Sequence, residues 1–336
     1  MSIKKTALAS LLAAGLFTLA GQVHAAATIV NTSGTVALGV NDEGHLNTSV
    51  GNVAVNSGAT GLSYKFADGS FRDSTSPGCL CEGWGVSVNG TVSGYANVST
   101  DGGANNLTVS SFTSTANSAT SVVTLTSLPG LQVTHAYSSA DKAPNVFFKD
   151  VVTITNNTGA TVNNLKFVRV MDWDVPPTEF DEYVTIKGVA STTFLERSHN
   201  NGFNTANPLN DFGASDPATV NVDFTDNGPD DHGAYFRFNF GSLEDGESYT
   251  FTTFYGAAGS EADALAAIGA ESIELYSLGQ SNGGQRTGEP ATFIFGFSGV
   301  GGTPVEPPNG VPEPGSLALL GAALAGLAAS RRRRAI

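Results

Sequence analysis

The 336-residue chain is poor in the residue types from which most active sites are assembled. It holds two cysteines, two tryptophans, two methionines and five histidines, and only 14% of its residues are charged. His24 lies near the N-terminus, and His45, His135, His199 and His232 are scattered without a second histidine or cysteine at metal-ligand spacing, which argues against a zinc site. The Gly-x-Ser-x-Gly elbow, the His-Glu-x-x-His helix, the phosphate loop and the dinucleotide fingerprint are all missing. Metalloprotease and dinucleotide chemistry are therefore not expected. No internal period is visible, which argues against a propeller or a solenoid.

Positive charge is also scarce. Lysine and arginine number 16 against 30 acids, for a net charge of −14. Lys4, Lys5 and Arg331 to Arg334 supply six of those 16, and Glu313 one of the 30, so the body between the ends stands at −19, ten basic residues against 29 acidic. Such a surface disfavours nucleic acid and anionic headgroups as partners and is compatible with divalent cations.

What the chain does have is glycine, 40 residues of it, with abundant Ser, Thr and Asn. That composition, with few long apolar runs, fits an exported all-β chain with many turns. Short β-prone pieces run from Thr35 to Val40, Leu62 to Phe66, Trp84 to Val88 and Val92 to Val98, followed by a Ser/Thr-rich stretch from Leu107 to Thr126. Leu131, Val133, His135 and Tyr137 alternate with polar or small residues, as on a half-buried strand, which makes His135 a core histidine. Asn145 to Thr155 and Val162 to Met171 flank Asn156-Asn157-Thr158-Gly159, which predicts a hairpin. Phe236, Phe238 and Phe240 alternate, Tyr249 to Tyr255 follows after a turn, and Thr292 to Phe297 places three phenylalanines on one face. Ser260 with Asp263 makes a capping signal for one short helix, Ala262 to Ile268, ending at Gly269. Many strands and one helix predict a large two-layer antiparallel β-sandwich, with two Ig-like sandwiches meeting near residues 128–131 as the alternative.

The ends have their own logic. Residues 1–25 carry Lys4 and Lys5, an apolar stretch and Val23-His24-Ala25, as in a signal peptide removed by signal peptidase. After the 26–303 body comes a Pro/Gly linker, 304–315, its Gly-rich approach starting at Gly299. A hydrophobic segment, 316–330, precedes the Arg-rich tail, 331–336. About 16 residues of helix span roughly 24 Å, short of the ~30 Å hydrocarbon core, so membrane insertion by this single helix is expected to be transient. The arginines stay cytoplasmic and the body lies outside.

Pro312-Glu313-Pro314, one apolar segment and Arg331, Arg332, Arg333 and Arg334 resemble the tripartite tail of PEP-CTERM sorting-domain proteins. The resemblance covers roughly the last 26 residues. It implies recognition by an exosortase, export through the inner membrane of a Gram-negative bacterium to the surface or matrix, and association with exopolysaccharide or biofilm. The body resembles no characterised enzyme family.

Four sets of body residues are candidates for chemistry. Asp172 and Asp174, at i and i+2 beside Pro176-Pro177, share a face if extended, and Glu179, Asp181 and Glu182 follow within reach. Together they are a candidate Ca2+ loop, or else a solvated acidic connection, and the acids around Asn227-Gly228-Pro229 (Asp223, Asp226, Asp230, Asp231) read as a second acidic turn. Trp173 and Trp84 are candidate sugar-stacking residues, with burial in the core as the other reading. Cys79 and Cys81 sit between Pro77-Gly78 and Glu82-Gly83, which can tighten a turn enough for a disulfide, with free or intermolecularly paired thiols as the alternatives. Paired carboxylates would also serve a glycoside hydrolase. The expectation from sequence is thus a non-catalytic, exosortase-sorted surface or matrix protein, the alternatives being a secreted carboxylate-based hydrolase and a calcium-stiffened adhesin.

Overall fold

A computed structural model describes residues 25–99, 103–283 and 288–305. The strands in chain order are β1 (Ala26–Val30), β2 (Val36–Asn41), β3 (Leu62–Lys65), β4 (Phe71–Asp73), β5 (Glu82–Val88), β6 (Val92–Asn97), β7 (Leu107–Ser114), β8 (Ser118–Leu125) and β9 (Leu128–Ser139). They continue with β10 (Phe147–Asn156), β11 (Lys166–Trp173), β12 (Glu182–Lys187), β13 (Leu195–His199), β14 (Phe224–Asp230), β15 (His232–Asn239), β16 (Ser248–Ala258), β17 (Leu275–Ser281) and β18 (Thr292–Ser298). One α-helix, α1 (Glu261–Glu271), lies between β16 and β17. The signal peptide, the Pro-Glu-Pro motif, the 316–330 segment and the arginines lie outside the described residues, among which no helix is long and apolar enough to cross a membrane.

The strands form antiparallel sheets of nine (β14-β12-β17-β18-β16-β10-β9-β8-β7), five (β13-β15-β11-β5-β6) and four (β1-β2-β3-β4). Period-two alternation is visible along β8, β9 and β10, where every second residue is buried. The phenylalanines of β18 show how the layers meet. On one face of the large sheet Phe293 packs against Tyr64 of the four-stranded sheet, while Phe295 and Phe297 pack against Phe236 of the five-stranded one. The two smaller sheets thus share one layer over the nine-stranded sheet, and a single apolar cluster runs from Ile29 to Val300 between the layers. The opposite face of β18 presents Ile294 to α1, whose Ala264, Ala267 and Ile268 are buried there with Phe254 and Leu278. Two to three turns of helix are marginal alone in water, so this docking stabilises α1. Ser260 caps it by accepting from the Asp263 amide, and the helix outruns Gly269 to end at Ser272, which takes the left-handed conformation itself.

Several local expectations are corrected. The β-prone stretch from Leu107 to Thr126 does lie in the sheet, as the paired hairpin β7 and β8, whereas other readings change. Asn156-Asn157-Thr158-Gly159 does not close a hairpin: β10 pairs with β9 and β16, and β11 with β5 and β15, so the turn carries the chain from one layer to the other. The Asp223 to Asp230 region is an irregular edge strand, β14, on β12. Residues 128–131 open β9, which is laddered between β8 and β10, leaving no boundary for two sandwiches. The first Gly-rich residues after β18 are tied down, since Glu274 accepts from the amides of Gly299, Val300 and Gly302.

Candidate functional site

Strand β11 places the two most unusual groups of side chains. It is buried along both faces from Phe167 onward, because β5 and β15 flank it, the large sheet covers one face and the 199–213 loops cover the other. Its inward-facing Arg169 meets a polar network inside the sandwich. Arg169 Nε lies 2.6 Å from Glu82 Oε1, Tyr255 donates to the same oxygen at 3.1 Å, and the Leu46 amide donates to Glu82 Oε2 at 2.7 Å. Arg169 also donates to the Tyr137 hydroxyl at 3.1 Å, and His135 Nδ1 lies 2.8 Å from Asp150 Oδ2. Every member is fully buried, and Gly44 closes the network so tightly that a Cβ there would fall 2.6 Å from the His135 ring.

Three residues on, Asp172 points to the other face, as does Asp174. Antiparallel pairing sets Asp172 against Gly233 and Trp173 against His232, which brings Asp231 beside Asp174. One oxygen from each of Asp172, Asp174 and Asp231 lies within 4.8 Å of the others. Glu182, at the start of β12, adds a fourth carboxylate at this end of the sandwich. Asp172 is 1% exposed and Asp174 and Glu182 are 0% exposed, while Asp231 sits at the surface. Among the described residues, Asp172 Oδ1, both oxygens of Asp174 and Glu182 Oε2 have no hydrogen-bond partner. Burial first, then the neighbouring Asp172 and Asp231 charges, push Asp174 up to about 9. Glu182 is likewise pushed up to about 9, chiefly by burial and further by Asp174 and Asp231. Asp172 is raised well above the usual carboxylate range by burial, Asp231 and Glu182. The wall here is glycine: a Cβ at Gly202 would fall 2.6 Å from Asp172 Oδ1.

The expected five-residue acidic loop is therefore only partly assembled. Glu179 turns to Asn56, accepting from its Nδ2 at 2.9 Å, and Asp181 accepts from Asn282 Nδ2 at 2.7 Å. Asp231, from the patch read as a separate turn, takes a place in the cluster. The tryptophans offer no face to a sugar. Trp84 is fully buried, stacked on Phe167 and donating to the Glu43 carbonyl at 2.9 Å. Trp173 is fully buried over Gly279 and donates to Ser277 Oγ at 3.1 Å. Cys79 and Cys81 are joined as a disulfide, with Cys79 Sγ 3.3 Å from Asp172 Oδ2.

A cleft of about 920 Å³ adjoins this end of the molecule. Asn47, Asn56, Ser57 and Ser76 line it, and Phe180, 49% exposed, stands at its rim. Pro77 and Gly78 separate cleft from acids: a Cβ at Gly78 would meet the Phe180 ring at 2.6 Å and Asp174 Oδ1 at 3.7 Å. Among the described residues, Glu179 is the sole acid in the lining, and no base accompanies it.

The architecture is thus a mostly β, antiparallel two-layer fold carrying one helix among the described residues. Residues 310–334, which include Pro312-Glu313-Pro314 and Arg331 to Arg334, match the family model of the PEP-CTERM protein-sorting motif. That motif marks an exported protein, processed by an exosortase and sorted to the cell surface. No curated protein matches the chain. Among solved structures, a galactose mutarotase-like protein from Lactobacillus casei is similar at 14% identity and a TM-score of 0.31, over 81% of this chain and 87% of that one. Superposition that loose says nothing of activity.

Proposed function

We propose that the protein is a non-catalytic component of the cell surface or extracellular matrix that holds exopolysaccharide in the cleft beside Phe180. The observation that carries this reading is the cleft itself: amide and hydroxyl groups line a groove of ligand size, and an exposed aromatic ring stands at its edge. Hydroxyl-rich, uncharged sugars suit such a lining better than acidic ones, since Glu179 and the −19 body repel anions. Glycoside cleavage needs two carboxylates facing the sugar. The described lining supplies one, and Asp172, Asp174 and Glu182 are buried beyond the reach of a sugar ring.

A screen of the purified protein against neutral and acidic polysaccharides tests this. Saturable binding of a neutral glycan, weakened about tenfold by Phe180→Ala for the loss of one stacking partner of ~1–1.5 kcal/mol, is the expected result. Release of reducing ends, or binding indifferent to Phe180, would contradict it.

A further inference from the structure

We infer that Asp172, Asp174 and Asp231, with Glu182 beside them, form a calcium site that fastens the wall between the acidic cluster and the cleft. Unpartnered oxygens are the observation that points to a ligand. Buried carboxylates are ordinarily paired or hydrogen-bonded. Here Asp174 has two bare oxygens, Asp172 and Glu182 have one each, and three of the four side chains are at most 1% exposed. A cluster of acids on an open surface satisfies itself with water, whereas here one oxygen from each of buried Asp172, buried Asp174 and exposed Asp231 lies within 4.8 Å of the others.

The donor set selects the ion. All available donors are carboxylate oxygens, which suit the hard cations Ca2+ and Mg2+ rather than Zn2+. Cys79 and Cys81 are bonded to each other and so offer no thiolate. His232 is turned away: its Nδ1 faces Asn200 Nδ2 at 3.2 Å, so it accepts there, and its Nε2 donates to the Glu182 carbonyl at 3.2 Å. Carboxylates able to bind through one or both oxygens reach the six to eight contacts of Ca2+ without the strict octahedron that Mg2+ requires. Gly202 leaves the Asp172 carboxylate its room, because any Cβ there would lie 2.6 Å from Oδ1. The consequence for the neighbourhood is mechanical. Strand β11, the start of β15 and the segment leading to Phe180 are held through one ion, with the disulfide turn packed against Asp172. This inference stands apart from the glycan reading, since the cation is detected whether or not the cleft binds a sugar.

Thermal unfolding of the purified protein, first treated with chelator and then titrated with CaCl2, is the test. Calcium is expected to raise Tm by roughly 5 °C or more at saturation, with affinity on the order of 0.1–1 mM, as in other extracellular calcium modules. Asp231→Asn, at the surface and so free of folding risk, should weaken that response. Asp174→Asn should abolish it. Asp141→Asn, an exposed acid paired with Lys149, should respond as wild type does. A shift reproduced by NaCl of equal ionic strength, an unchanged response in Asp174→Asn, or no response in the wild type would overturn the assignment.

Discussion

Arg169 and Asp172 are three residues apart on the same strand and equally buried, yet their charges are answered in opposite ways. Around Arg169, one guanidinium and one imidazole stand against two carboxylates, with Tyr137, Tyr255 and the Leu46 amide adding hydrogen bonds, although Arg169 Nη1, Asp150 Oδ1 and His135 Nε2 take part in none among the described residues. Around Asp172, carboxylates face carboxylates and no cationic side chain among the described residues joins them. Desolvating an ion costs several kcal/mol even after the protein relaxes, and only a matched partner offsets that. The first group sets its carboxylates against a cation within the fold. The second has no cationic side chain among the described residues, and a bound cation, as inferred above, would balance it.

The largest expected effect comes from making the first group resemble the second. Arg169→Met should leave Glu82 and Asp150 buried without a guanidinium and lower stability by about 3–5 kcal/mol in urea unfolding. A loss below about 1 kcal/mol would mean that the network tolerates imbalance, and the contrast would fail. Next is the behaviour of a buried histidine. His199, stacked on Tyr235 and 3.3 Å from Asp211, is pushed down to about 4 by burial, which Asp211 only partly opposes. Its folded pKa lies below the unfolded value near 6.5, so its share of stability is complete above about 6.5 and is lost as the pH falls toward 4. That share is on the order of 3 kcal/mol, and unfolding of His199→Gln should show a correspondingly shallower acid limb. Phe180→Ala should do least to the fold, within about 0.5 kcal/mol, while changing glycan affinity. A large stability loss there would show the ring to be part of the wall rather than of the cleft.

Much of the architecture was legible in the sequence because it rests on local periodicity. The alternation that carries Leu131, Val133, His135 and Tyr137 is the one that faces the core, and Ser260 and Asp263 announce α1 where it begins. Pairing between distant strands left no such mark. Nothing near Asn156 to Gly159 says that the next strand belongs to the other layer, and nothing near Asp231 says that β15 will lie along β11. Trp173 between two aspartates reads as either an exposed or a buried ring; its burial depends on Gly279, a hundred residues later, whose missing side chain makes the space. The acids suffered from the same blindness. Spacing singled out Asp172 and Asp174, but Glu179 and Asp181 were claimed by Asn56 and Asn282, partners from opposite ends of the chain.

Trp173 also provides the most direct test of the contrast, because it lies between Asp172 and Asp174 and can sensitise a lanthanide bound to them. Terbium titrated into the chelator-treated protein, with excitation of tryptophan, is predicted to give luminescence that saturates at one equivalent, is displaced by calcium and is absent from Asp174→Asn. Luminescence that fails to appear, or that persists unchanged in Asp174→Asn, would contradict the account.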